Sequence, residues 1–269
     1  MCRKLLLAAT VLSLIAAPVL AAEAPKSKAA AAQPKKASAE QKAIADRADP
    51  MAKAAFWAHE LEVDPADQEA GIKMASALRQ LGQWDKAAET AQTVATANPA
   101  NEEAWLEVAR AKVGGGNGFY AIDPARKAQA LKPKDWRPAS LLGIGLEQSE
   151  RYDEAEAAYR QALALSPDNP SILTNLAMMK AGQGDGDQAE TLLRKAVAQP
   201  TATIQIRQNL VLVLGLRGKI AEAEKLMRQD LPPDVANNNL AYLKALAAGD
   251  AAIPGARSYQ SLQRTQDGS

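Results

Sequence analysis

Ala87, Ala121, Ala155, Ala189 and Ala223 stand 34 residues apart, five in succession. Pro65, Pro99, Pro133 and Pro167 keep the same interval. So do Gly82, Gly116, Gly184 and Gly218, with Glu150 standing where the series would place a fifth glycine. A unit of this length holds two helices and their turns, and it is too small to enclose a core. It buries its apolar face only against its neighbours. The period therefore predicts an all-α chain, an α-solenoid of stacked helix–turn–helix units. The composition agrees: 47% of the 269 residues are hydrophobic but only 4% are aromatic, and alanine supplies much of the apolar content. Small side chains let helices approach closely.

The two ends of the chain read differently. Arg3 and Lys4 precede an apolar run from Leu5 to Leu20, followed by small residues at Ala21 and Ala22. This is the three-part pattern of a secretory signal peptide, and residues 1–21 are assigned to it. The expected location is the periplasm, in solution or peripheral to the outer membrane, with no transmembrane segment after cleavage; the other reading of the apolar run is an uncleaved N-terminal anchor. Cys2 is the single cysteine and would leave with the signal, so the mature chain has no means of forming a disulfide or a thiolate metal site. Residues 22–42 are rich in Ala, Lys and Pro and carry no large apolar side chain, which predicts a flexible linker. The solenoid is expected over 43–248, with units near 68–101, 102–135, 136–169, 170–203 and 204–237. A tail follows at 249–269.

Local signals fix the helices. Asp49-Pro50 reads as a capped helix start. In each unit the first helix (A) carries an apolar residue followed by a small or branched one: Met74-Ala75, Val108-Ala109, Leu142-Gly143, Leu176-Ala177 and Leu210-Val211. The second helix (B) carries the periodic alanine. The second unit departs from this pattern, with Gly114 to Gly118 reading GGGNG and Pro124 inside the B segment. Glycine and proline cost about 1 and 3 kcal/mol in helix interiors. The expectation is a longer loop and a late helix capped by Asp123. Asp234 is expected to cap a last helix running to Ala248.

Leu142, Gly143, Tyr152, Ala155, Tyr159, Ala162 and Pro167 together resemble the tetratricopeptide repeat pattern, and the next unit continues it in register. The resemblance covers roughly 68–230. It implies a concave groove lined by the A helices, where the residue before the Leu-Ala pair holds a peptide main chain. In this chain those residues are Lys73, Glu107, Leu141, Asn175 and Asn209, with Asn239 extending the row in a shifted frame. An asparagine amide both donates and accepts, so it pairs with any main chain; the other reading of the two asparagines is that they tie neighbouring helices together. Arg79, Arg110, Arg137 and Arg207 are expected charged readers on or near the groove, able to pair with carboxylates. Ile72, Leu106, Ile144, Met178 and Leu212 are expected to line its floor, with Met178 an adaptable apolar contact.

Other chemistry is not expected. The formal net charge is +1, from 32 basic and 31 acidic residues, which gives no electrostatic case for nucleic acid. His59 is the single histidine and no serine stands in a nucleophile elbow, so neither a triad nor a multi-histidine metal site is expected. No catalytic, cofactor or metal residues are assigned, and an enzyme is not expected.

ALKPKDWRPASLLGIGLEQ (130–148), RQNLVLVLGLRGKIAEAE (207–224) and DLPPDVANNNLAYLKAL (230–246) resemble the TadD-type component of the Flp (tight-adherence) pilus machinery. That resemblance implies a non-enzymatic assembly factor gripping the outer-membrane secretin or another pilus component. Members are commonly lipoproteins, and this chain has no cysteine placed for that. The alternative is a general periplasmic adaptor for another envelope complex, such as wall synthesis or polysaccharide export.

Overall fold

The computed structural model describes residues 35–248. The signal, most of the linker and the tail lie outside the described residues. Thirteen α-helices and one 3-10 turn follow one another. A short helix α1 (Ala39–Ala45) and a longer α2 (Pro50–Val63) precede the array. Five pairs follow: α3 (Gln68–Gln80) with α4 (Trp84–Ala97), α5 (Glu102–Gly114) with α6 (Ile122–Leu131), α7 (Trp136–Gln148) with α8 (Tyr152–Leu165), α9 (Pro170–Gly182) with α10 (Gly186–Val197), and α11 (Ile204–Leu216) with α12 (Ile220–Asp230). A final helix, α13 (Pro233–Ala247), closes the stack.

Each A helix starts on a side-chain cap, and the caps keep the period: Asp67, Asn101, Asp135, Asn169 and Thr203 each accept a backbone N–H of the first turn. The periodic proline lies two residues earlier in the first four units. Each A helix also ends alike. Gln83, Asn117, Arg151, Asp185 and Lys219 donate their backbone N–H to the carbonyl five residues back, at 2.8–2.9 Å. The residue before each donor has positive φ, which is the Schellman stop. Four of those residues are glycine, and the fifth is Glu150 at φ 59°.

Helix α6 differs from expectation. Asp123 does not cap it; no side chain does, and Asp123 lies in the first turn, with Lys127 Nζ 2.8 Å from its carboxylate. A 3-10 turn (Gly118–Ala121) runs straight into α6 instead, and this places Pro124 in the first turn, where a missing N–H costs nothing. The turn seats on α7, where a Cβ at Gly145 would come within 2.9 Å of the Gly118 carbonyl oxygen. At α13, Asp234 sits in the first turn but makes no cap; Pro232 and Pro233 set the entry. At the other end, residues 35–42, read as linker, contain the start of α1. Ser38 caps it in a box with Gln41.

The periodic alanines are all fully buried. Side-chain bulk would separate the helices here, and its absence lets each pair close. In the third unit Tyr159 fills the space, and its hydroxyl donates to Glu147 Oε2 at 2.6 Å. Burial pushes the Glu147 carboxyl above its ordinary range, although the Tyr159 hydrogen bond pulls the other way. No cation pairs with Glu147 among the described residues.

Two substitutions test these local constraints. Left-handed backbone costs an L-residue about 1–2 kcal/mol, partly offset because glycine gains freedom in the unfolded chain. Glu150 is exposed, so Glu150→Gly should raise stability by about 0.5–1 kcal/mol in denaturant titration. Because the folded pKa of Glu147 is raised, its share of stability is complete below about pH 4.5 and lost as pH climbs through the folded value. Glu147→Gln should therefore melt higher than the parent at pH 7 and alike at pH 4.

Candidate functional site: the inner face of the A helices

The A helices form one continuous row: α3 touches α5, α5 touches α7, and so on to α9, α11 and α13. Among the described residues no two consecutive B helices pack backbone against backbone in this way, although the Arg194–Glu222 ion pair joins α10 to α12. A stack that is tight on one side and open on the other must curve, so the A row forms the inner face. Two crevices open between the splayed B helices. One, of about 540 Å³, lies between α4 and α6 beside Trp105 and Lys127. The other, of about 430 Å³, lies between α8 and α10.

Along the inner face, the position before the apolar–small pair changes character. Lys73 pairs with Asp46 and lies 5.5 Å from the Trp57 ring centroid, within the N-terminal cap. Glu107 is buried and held by Arg79 Nε at 2.6 Å and Arg110 Nη1 at 2.9 Å. Arg110 also donates to Glu103 at 2.5 Å, and Arg137 Nη1 reaches the other Glu103 oxygen at 2.9 Å. Arg137 further forks onto Asp135 Oδ2 at 2.6 and 2.8 Å. Lys132 lies 2.9 Å from buried Glu102. These groups form a charge ladder across α3, α5 and α7. Burial opposes ionisation of Glu103, but Arg110 and then Arg137 outweigh it and hold the carboxyl below its usual range. The Asp135 hydrogen bond pushes Arg137 upward, against desolvation. Arg110 and Arg137 thus have acids of their own.

Arg207 lies apart from that ladder. It forks onto Asp230 of α12 at 2.8–3.0 Å, so its charge is matched too. Leu141 is buried. From α9 onward the row turns to amides. Asn175 is half-buried, with no side-chain hydrogen bond among the described residues, and Met178 stands three residues on, half-buried. Asn209 is only 7% exposed, and its Oδ1 has no donor. Beside it Gln208, 9% exposed, has an Nε2 with no acceptor. Asn239 and Tyr242 of α13 face Gln208 across a cavity of about 20 Å³, roomy enough for a water but not for a side chain. Gln208 and Tyr242 were not singled out from the sequence; Gln208 adjoins Asn209, and Tyr242 stands three residues, one helix face, beyond Asn239. Of the expected floor, Ile72, Ile144, Met178 and Leu212 are half-buried, while Leu106 is fully buried and belongs to the core.

Two tetratricopeptide repeat family models match the chain, at residues 72–135 and 146–211. The fold is a tetratricopeptide-repeat solenoid. Solved structures agree. A thermophilic tetratricopeptide protein from Thermus thermophilus is 24% identical, with 65% of this chain and 94% of that chain covered at a TM-score of 0.56. A tetratricopeptide protein from Parabacteroides merdae is 16% identical, with 76% and 79% covered at 0.61. PilF of Pseudomonas aeruginosa is 19% identical, with 75% and 98% covered at 0.55. At these identities the likeness is one of fold. No curated protein sequence matches the chain.

The fold is that of a protein-interaction scaffold, and the A row of this chain carries amides and half-buried apolar side chains. Among the described residues no group of three or more His, Cys, Asp or Glu is placed to hold a metal, and no helix is long and apolar enough to cross a membrane. His59 lies outside the groove residues, exposed, with Nδ1 3.6 Å from Glu62.

The acids that tie the repeats together set an acid limit. Glu190 of α10 is nearly buried among Arg194, Arg217 and Lys219. Burial resists its ionisation, but the hydrogen bonds from Lys219 and Arg194 prevail and bring it down to about 2. A depressed folded value stabilises fully above about pH 4.5 and is lost as pH falls towards 2. Glu190→Gln should lower the melting temperature at pH 7, and the difference from the parent should shrink steadily below pH 4.5.

Proposed function

We propose that the protein is an exported, non-enzymatic scaffold for assembly of an Flp-type pilus. In this reading it holds an extended segment of the secretin, or of another pilus component, along α9, α11 and α13. One observation carries the placement: the half-buried amides of Asn175 and Asn239 make no side-chain hydrogen bond among the described residues, and the nearly buried Asn209 Oδ1 and Gln208 Nε2 between them are unpartnered, whereas Glu103, Glu107, Arg110 and Arg137 are paired within the chain. An amide satisfies one N–H and one C=O of a peptide, whatever its side chains. Met178 and Leu212, half-buried beside the amides, supply apolar contact. Because Arg110, Arg137 and Arg207 are already paired, the bound segment needs no carboxylate anchor, and capture should vary little with salt. The resemblance of 130–148, 207–224 and 230–246 to the TadD-type component supports the choice of partner, as the signal-peptide pattern supports export.

The test is capture of envelope proteins from a periplasmic and outer-membrane extract by the purified scaffold. The parent should retain the secretin. Asn175→Ala with Asn209→Ala should weaken retention about tenfold or more, from two hydrogen-bonding side chains at about 1 kcal/mol each, with helicity unchanged and the melting temperature no lower than the parent's. Retention of wall-synthesis or polysaccharide-export proteins in place of the secretin would move the assignment to a general envelope adaptor. Parallel loss of capture and melting temperature would make the amides structural.

A further inference from the structure

The geometry points to a hinge between the third and fourth repeats, which lets α9–α13 rock as one body against α3–α8 and so sets the width of the groove. It does not depend on who the partner is.

The four junctions between repeats are not alike. At the first, Arg79 crosses to Glu107, and Gln68 Oε1 accepts from Asn101, the cap of α5, at 2.8 Å. At the second, Arg137 reaches both Glu103 and Glu102, Gln148 Nε2 donates to the Val113 carbonyl at 2.9 Å, and the 3-10 turn packs on α7. At the fourth, Arg217 and Lys219 converge on Glu190, and Arg194 Nη2 reaches Glu222 of the next B helix at 2.7 Å. The third junction has one direct helix-to-helix ion pair, Lys180 Nζ to Glu156 at 2.6 Å, and Lys195 reaches only the intervening turn, at Asp168 and the Pro167 carbonyl.

Packing follows the same order. Helix α9 meets α7 and α8 over less of its length than any other A helix of the array meets the repeat before it. The two large apolar clusters, one running from α4 to α9 and the other from α9 to α13, meet in α9, where Ile172, Leu176 and Met179 belong to the first and Ala177 to the second. The crevice of about 430 Å³ lies at this junction, with Leu163, Leu176 and Leu192 at its base and Glu156, Arg160 and Asp187 among its charged lining. The crevice at the first junction is as large, but there α4 and α5 pack closely beneath it. With α7 and α9 touching lightly on the inner side, narrowing the outer crevice flattens the arc and opens the groove; widening it closes the groove. Motions of this kind need free volume on one side and a small contact as pivot.

Glu89, Asp123, Ala157, Thr191 and Lys225 occupy equivalent, exposed positions on successive B helices. In a Cys2→Ser background, cysteine pairs at 123/157, 157/191 and 191/225 are spin-labelled, and their distance distributions are compared by pulsed electron spin resonance. The 157/191 pair should give a distribution at least twice as wide as either neighbour. Widths equal across the three pairs would overturn the hinge. If a labelled pair lowers the melting temperature, the second exposed series Ala130, Ala164 and Ala198 replaces it, and the 164/198 width is compared with the 130/164 width in the same way.

Discussion

A two-helix unit of 34 residues buries too little surface to stand alone, and this constraint governs the structure. Each unit is stable only because its neighbours cover it. The cover is thin: Ala87, Ala121, Ala155, Ala189 and Ala223 contribute a methyl group each, yet all are fully buried. What they provide is proximity, which lets the larger side chains around them interlock. Leu106, Leu146, Ile172, Leu193 and Leu214 are fully buried in consequence. The inner groove is a by-product of the same packing. Once A helices stack on A helices while B helices stand apart, the arc has an inner face whether or not anything binds there.

Polar links repeat the pattern at a larger scale. Arg79–Glu107, Arg137–Glu103 and Arg217–Glu190 join residues 27 to 34 apart, close to one repeat. Such pairs contribute to stacking rather than to any single helix. Pairs between fully exposed side chains are worth little, but Glu102, Glu107 and Glu190 are buried, and an acid buried without its cations would be costly. The arginines of the inner face therefore act first as structural partners. Their charge serves the repeat stack, and the groove they border is closer to neutral than their number implies.

The fold was legible because the signals were periodic. The 34-residue interval gave the repeat count, and the apolar–small pairs gave the A helices. A second periodic signal, the capping series Asp67, Asn101, Asp135, Asn169 and Thr203, was equally visible and sharpens the helix starts. Where periodicity broke, the late start of helix B was legible but its cap was not. GGGNG with Pro124 was read as a loop before a helix capped by Asp123, but the chain instead winds a 3-10 turn directly into α6, because Gly118 and Gly145 allow backbones to touch. The groove was legible in position but not in state. Residue type showed that Arg110, Arg137 and Arg207 could pair with acids; it did not show that Glu103, Asp135 and Asp230 already hold them, since those partners are set by the stacking of separate helices. Gln208 and Tyr242 escaped notice for the same reason, their relation being made by α11 and α13 together.

This division between spent and unspent polar groups separates the two halves of the inner face. A buried amide atom without a partner costs about 1–3 kcal/mol. Asn209 Oδ1 and Gln208 Nε2 stand side by side on α11 without a partner in the chain, beside the apolar cluster of Leu210 and Val211. Exposed asparagines carry little information, because water satisfies them; nearly buried ones at an inner-face register are a different matter. In the first three repeats the corresponding positions are filled by a paired lysine, a doubly held glutamate and a leucine, all self-sufficient. Stability alone gives no reason for the last two repeats to differ. The proposed binding of a main chain along α9–α13 rests on that difference between the two halves of the row.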